Sequence, residues 1–443
     1  MVELYEHQKT ALSLLRLNNG FALFMEQGTG KTFPILFRLA ELAHTGRISK
    51  ALIAAPKAVC SSWEDKIRQL SVDQREALES IELVIASYDI VWRHKDIADS
   101  TYDAVVFDES HYIKSPSAKR TKGCLKLASR ATYRWILTGT PTSNGQLCNL
   151  WSQFAAITPI VRKGRVYPEC FDGATYADWL DSVAYLNKYH KPYKYKNVAS
   201  IQKVMEEVSY RITKEECLDL PEKMPDEILH VKLKSGVIAD YRQMVKSSAI
   251  LELDTLAGNP LTRSLRLRQI ASGFIETEND EHVDYPCAKL EALKEFLEDF
   301  EKKVVVFCEF RNSIDAVSAV MDKLKMKHVI LDGRQQDKSI WQRFQSDEGI
   351  QAIICQYQSG SAGIDLYAAD TCIFFEPTLS SNFNEQAKDR IHRVGQKRAC
   401  SYVYLITDHT IEAAIYGALC NYEDFGEALF TRYIGEYTKG ARI

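Results

Sequence analysis

The chain has 443 residues, 46% hydrophobic and 26% charged, an ordinary folded composition that excludes a disordered or fibrous chain and allows about three domains. Its 56 basic and 59 acidic side chains give a formal net charge of −3, which disfavours a surface that coats nucleic acid throughout but leaves room for a local basic track. No run approaches the ~18 apolar residues of a membrane helix, Met1–His7 carry no leader pattern, and the 11 cysteines, none within 15 residues of another, exclude C-x-x-C zinc spacing and read as reduced thiols of a cytoplasmic protein.

Short runs rich in Val, Ile and Phe alternate with longer segments of helical period, which is the pattern of parallel sheets with crossover helices. In the first half the predicted strands are Phe21–Met25, Ala51–Ala55, Leu83–Ser87, Ala104–Phe107 and Arg134–Thr138. A Tyr- and Lys-rich stretch at about 158–200, including Lys188–Lys196, fits neither half and reads as a helical insertion. Leu220–Pro225 carries two prolines and reads as the crossing between halves, giving units 1–224 and 225–443. In the second half Lys289–Phe300 places Leu290, Leu293, Leu297 and Phe300 on one helix face. The strands there are Val304–Cys308, His328–Leu331, Ala352–Cys355, Thr371–Phe375 and Tyr402–Ile406.

The first strand runs into Glu26-Gln27-Gly28-Thr29-Gly30-Lys31-Thr32 and then an apolar-periodic segment. Strand, glycine loop and helix start are the parts of a phosphate cradle: Gly28, Thr29 and Gly30 bring backbone N–H groups close, Lys31 adds a point charge, and Thr32 offers a hydroxyl to Mg²⁺. The longer G-x-x-x-x-G-K-T spacing is not met, because Met25 stands at its first glycine. Taken alone, the loop leaves a tight turn with an exposed lysine as the alternative. Ala104–Phe107 ends in Asp108-Glu109-Ser110-His111, where Asp108 is placed to hold the metal and Glu109 to act as general base on the attacking water. Thr138-Gly139-Thr140-Pro141 ends a third strand with small and hydroxyl residues suited to sensing a γ-phosphate.

In the second half, Gln386–Gln396 contains Arg390 and Arg393, which share a face if helical and can neutralise charge on a transferring phosphoryl group. If they serve the Lys31 loop, the site is complete only when two lobes close, the basis of a motor. Ser359–Leu366, with Gly363 and Asp365, is a small-residue loop suited to a nucleotide ribose or a nucleic-acid phosphate, or else a plain connection.

Taken in order, these strings resemble the Snf2 family of superfamily 2 helicase-like ATPases. The likeness runs from Leu4–Gln8 through Glu26–Thr32, Ala55–Lys57 with Trp63, Ala86–Tyr88, Asp108–His111 and Leu137–Pro141. It continues through Arg211–Glu216, Val304–Phe310, Gly363–Leu366, Gln386–Gln396 and Thr410–Glu412. The His-Arg-x-Gly-Gln core of Gln386–Gln396 is the most specific of them. The resemblance implies an α/β fold of two RecA-like lobes, each a parallel sheet flanked by helices, and assigns Gln8 to reading adenine. Ser115 stands where the family often has asparagine. Little flanks the two halves, so a compact bacterial- or phage-type member is expected.

The implied activity is an ATP- and Mg²⁺-dependent translocase that moves on double-stranded DNA without sequence preference or strand separation, with a protein partner for targeting and no membrane. A strand-separating DNA or RNA helicase and a nucleotide-gated DNA-binding switch are the alternatives.

Overall fold

The computed structural model describes residues 2–57, 59–142, 146–188, 190–250, 255–257, 259–277, 282–335, 337, 339–360 and 364–438. The chain divides into two units, Met1–Asp219 and Leu220–Ile443. Leu220–Met224 thus go with the second unit, where His392 Nε2 donates to the Pro221 carbonyl at 2.8 Å and Lys223 pairs with Asp389. Among the described residues no helix is long and apolar enough to cross a membrane.

The first unit is built on a six-stranded parallel sheet in the order Ser209–Ile212, Gly20–Met25, Tyr133–Leu137, Ala104–Asp108, Lys50–Ala55, Glu82–Ser87. Both faces are buried, which is why its strands read as continuous apolar runs. Ala22, Phe24, Leu52, Val105 and Phe107 pack on one face, and Leu23, Met25, Ile53, Val106 and Trp135 on the other. The five strands predicted here are all present. The sixth, Ser209–Ile212, is a short edge strand with no fully buried residue, so it lacks that apolar signal. The 158–200 stretch carries the helix Tyr176–Val183 and, in addition, two antiparallel hairpins, Pro159–Pro168 and Ala184–Tyr195. Its Phe171, Trp179, Leu180 and Val183 belong to the sheet's own core, so the insertion is packed and not appended.

The second unit repeats the plan: Glu227–Val231, Ser401–Thr407, Thr371–Phe374, Val304–Cys308, Ala352–Gln356, His328–Leu331, all parallel. Beside it lies a helical core formed by Ser235–Ser247, Pro260–Ala271, Ile411–Cys420 and Glu427–Thr438, closed by a hydrogen bond between the hydroxyls of Tyr241 and Tyr433 at 2.8 Å.

A buried cation ties this unit together. Lys289 Nζ, 1% exposed, donates to Glu412 Oε1 at 2.5 Å and to the Phe375 carbonyl at 3.1 Å. Burial works against its charge, but the carboxylates of Glu412 and Glu376 outweigh it, and the Lys289 pKa lies above its ordinary value. Lys289→Ala would leave a buried carboxylate unpaired and is expected to cost about 3–5 kcal/mol of unfolding free energy, measured by urea denaturation; a loss below about 1 kcal/mol would show that the pair does not hold the unit.

Candidate nucleotide site

Three strands that are neighbours in the first sheet carry the three predicted loops at their carboxyl ends. Leu23 is level with Leu137, and Leu137 with Asp108, while the first strand runs on to Met25, so the glycine loop, Thr138 and the two acids leave the sheet at one end. The glycine loop turns through Gly28 and Gly30 at φ 85° and 79° before the helix Thr32–His44. A Cβ at Gly30 would stand 2.2 Å from Gln8 Nε2, which donates to the carbonyls of Thr29 and Gly30 at 3.2 Å each. His7 Nε2 donates to the Thr29 carbonyl at 2.8 Å. Gln8 and His7 thus clamp the loop from the first helix. From the other side, the edge strand hands Ile212 O to Glu26 N at 2.9 Å, and Glu26 accepts from Lys214 N at 2.8 Å.

Lys31 is buried, with Nζ donating to the carbonyls of Met25 at 2.9 Å and Glu26 at 3.3 Å. Thr32 Oγ1 accepts from Lys66 Nζ at 2.9 Å, so this hydroxyl already faces a cation. Asp108 accepts from Trp63 Nε1 at 2.8 Å and from Glu109 N at 3.0 Å. Burial and the neighbouring Glu109 charge raise the Asp108 pKa.

Glu109 sits in the left-handed region, at φ 51° and ψ 57°, a costly conformation for a residue with a side chain. Its Oε2 accepts from Thr138 Oγ1 at 3.2 Å and lies 3.3 Å from His111 Nδ1. Burial pushes its carboxyl up, but the hydrogen bond and charge of His111, the charge of Lys31 and the Thr138 hydroxyl outweigh it and hold the pKa at about 2. The carboxylate is therefore ionised and aimed.

The backbone around Glu109 is held by the helix Leu150–Ile157, buried along its whole length. Gln153 Oε1 accepts from Ser110 Oγ at 2.7 Å, while its Nε2 donates to the carbonyls of Pro141 at 2.7 Å and Asn149 at 2.9 Å. Ser152 Oγ donates to the Lys114 carbonyl at 2.7 Å. One amide thus ties the Asp108–His111 segment to the Thr138–Pro141 loop. Neither Gln153 nor Lys66 stands out in the sequence, because each lies on a helix without a motif and is recruited only by the fold.

In the second unit the expectation of a helix through Arg390 and Arg393 needs correction. The helix Ser381–Lys388 ends before them, and the chain turns through Gly395 at φ 105°, where a Cβ would stand 3.1 Å from the Tyr367 ring. Gln396 Nε2 fastens this turn by donating to the carbonyls of Ala369, Ile391 and Tyr367. The two guanidinium groups converge nonetheless: Arg390 and Arg393 both donate to the Ile364 carbonyl, at 3.1 and 2.8 Å, and Arg393 pairs with Asp365. Gly363 lies outside the described residues. Among the described residues no group of three or more His, Cys, Asp or Glu could hold a metal on its own.

The SNF2-related domain matches residues 5–273, and the helicase conserved C-terminal domain matches residues 288–395. The chain is similar, at 26% identity over 93% of its length, to an uncharacterized ATP-dependent helicase of Mycoplasma genitalium, of which it covers 41%. It is also similar to a putative ATP-dependent helicase/translocase of Bacillus subtilis, at 25% identity over 89% of the chain and 45% of that protein. Among solved structures, the Sulfolobus solfataricus SWI2/SNF2 ATPase core in complex with dsDNA overlays with a TM-score of 0.45 at 22% identity, covering 99% of this chain and 94% of that one. The chain spans about two fifths of the length of the curated relatives it matches.

Gln153→Leu keeps the volume but strands the buried Ser110 Oγ and removes the donor to two partly buried carbonyls. It is expected to lower the unfolding free energy of the first unit by about 1–3 kcal/mol, read by urea denaturation. An unchanged midpoint would show that the amide does not hold the two loops.

Proposed function

Because the chain belongs to the SNF2-related domain family, we propose that it hydrolyses ATP to translocate on double-stranded DNA without separating the strands. The observation that carries this reading is that three adjacent strands open at one end of the sheet into the loop bearing Lys31, the turn bearing Thr138 and the pair Asp108-Glu109.

The residues fit the parts that phosphoryl transfer requires. Backbone N–H groups of Gly28, Thr29 and Gly30 cradle phosphate oxygens, and Lys31 exchanges its carbonyl partners for phosphate charge. Gln8 reads the adenine ring while bonded to the loop that holds the phosphates, so base and phosphates are sensed by one element. Thr32 Oγ1 and the Asp108 carboxylate are the groups that would hold Mg²⁺, a reading supported by the Lys66 ammonium group on the Thr32 hydroxyl. Mg²⁺ bound there with ATP supplies neutralisation of the phosphate charge.

Glu109, ionised and fixed by Thr138 and His111, accepts a hydrogen bond from the attacking water and orients it. Arg390 and Arg393 supply positive charge to the transferring phosphoryl group, with Asp365 and the Ile364 carbonyl holding them until it is present. Double-stranded DNA is the track, bound through phosphates and hence without sequence preference.

ATP turnover measured with duplex DNA, single-stranded DNA and RNA tests the reading, together with triplex displacement. Stimulation by duplex and displacement of the third strand are expected; unwinding of a forked substrate with stimulation by single strands would replace the translocase with a helicase. Lys31→Ala is expected to abolish turnover, and wild-type turnover in that variant would overturn the site. Glu109→Gln is expected to bind ATP as the wild type does while turnover falls at least ~100-fold, so loss of binding would mean that Glu109 has a different role. Arg393→Ala is expected to lower turnover by roughly 10³-fold.

A further inference from the structure

Between Ala184 and Met205 the chain carries five lysines and no acidic residue, although acids outnumber bases over the whole sequence. The hairpin Ala184–Tyr195 organises this charge. Its inward side is anchored: Ala184 is buried, Leu186 and Tyr195 pack on the core of the first unit, and Tyr195 OH donates to Gln146 Oε1 at 3.0 Å while accepting from Cys148 N at 3.2 Å. Its outward side is paired aromatic and cationic. Lys194 stands across the strands from Tyr185, the exposed rings of Tyr185 and Tyr193 lie 6.4 Å apart, and Lys196 Nζ sits 5.1 Å from the Tyr185 ring centre. Lys188 and Lys191 flank the turn, which Asn187 closes by accepting from Lys191 N at 3.1 Å.

We propose that this hairpin is a second contact for duplex DNA, gripping the phosphate backbone through Lys188, Lys191, Lys194 and Lys196 with the tyrosine hydroxyls as added donors. This rests on the translocase reading above. Three features select phosphates over bases. The run concentrates cationic donors and contributes no carboxylate of its own. The Tyr185 ring is already covered by an ammonium group, and the two rings tilt by 40°, so neither presents an open stacking platform of the kind that takes single-stranded bases. The rigid anchoring at Tyr195 spares the hairpin the ordering cost a loose loop would meet on binding.

Fluorescence anisotropy with a labelled duplex of arbitrary sequence, read across a salt series, tests the proposal. Replacing the four lysines together by alanine is expected to weaken binding at least ~10-fold near 0.15 M salt and to make the slope of log K against log salt shallower by about 2–4, since each phosphate contact contributes about 0.9 to that slope. Replacing the same four by arginine is expected to restore both. An alanine variant that melts like the wild type and keeps its affinity and salt slope would overturn the hairpin assignment while leaving the translocase reading intact. A wild-type chain that neither binds duplex nor is stimulated by it would overturn both. Loss of affinity that arginine fails to restore would show that charge is not what the hairpin contributes, and would also overturn the proposal.

Discussion

Parallel strands that sit side by side and open at the same end of a sheet can present groups from distant parts of the chain to one small volume. In the first unit, Gly20–Met25, Tyr133–Leu137 and Ala104–Asp108 do this, with Leu23, Leu137 and Asp108 in register and Met25 reaching slightly further. Residues more than a hundred positions apart thereby become neighbours: Thr138 hydrogen bonds Glu109, and both stand beside the loop that carries Lys31. Everything else around the site acts to keep that arrangement in place. Gln8 and His7 clamp the glycine loop from one side and the edge strand Ser209–Ile212 from the other, while Gln153 braces the acids and the threonine loop from beneath.

The second unit solves a different problem. It must keep two guanidinium groups together without a helix to carry them, and it does so by giving both the same acceptor, the Ile364 carbonyl, with Asp365 as counter-charge to Arg393. Gly395 and Gln396 shape the turn that makes this convergence geometrically accessible. The Lys289–Glu412 pair, buried in the same unit, joins the helix Ala288–Glu298 to the helix Ile411–Cys420, and so links the middle of the chain to its C-terminal helices.

The parts most legible in the sequence are those that local chemistry dictates. All ten predicted strands are present; the eight interior ones are legible because strands buried on both faces must be apolar throughout, and the glycine loop is recognisable because only glycine turns freely at φ 79°. The edge strands Glu82–Ser87 and His328–Leu331 still carry an apolar run, whereas in Ser209–Ile212 and Glu227–Val231 it is interrupted by Arg211 and His230. Arg390 and Arg393 were identified as a pair for the wrong local reason: their spacing suggests a helix, whereas a shared carbonyl brings them together. Lys66, Gln153 and the anchoring of the 184–195 hairpin were illegible, since each depends on what the fold places opposite it and not on what stands next to it in the chain.

Glu109 illustrates what such a site asks of its backbone. A left-handed conformation at a residue other than glycine carries a penalty of about 1–3 kcal/mol, and the surrounding hydrogen bonds oblige the chain to keep it. Glycine would occupy the position without that penalty. It would also forfeit the Thr138 and His111 contacts that keep the carboxylate ionised, so selection for heat resistance alone has little to gain from relieving the strain, and the awkward backbone and the aimed carboxylate persist as one feature.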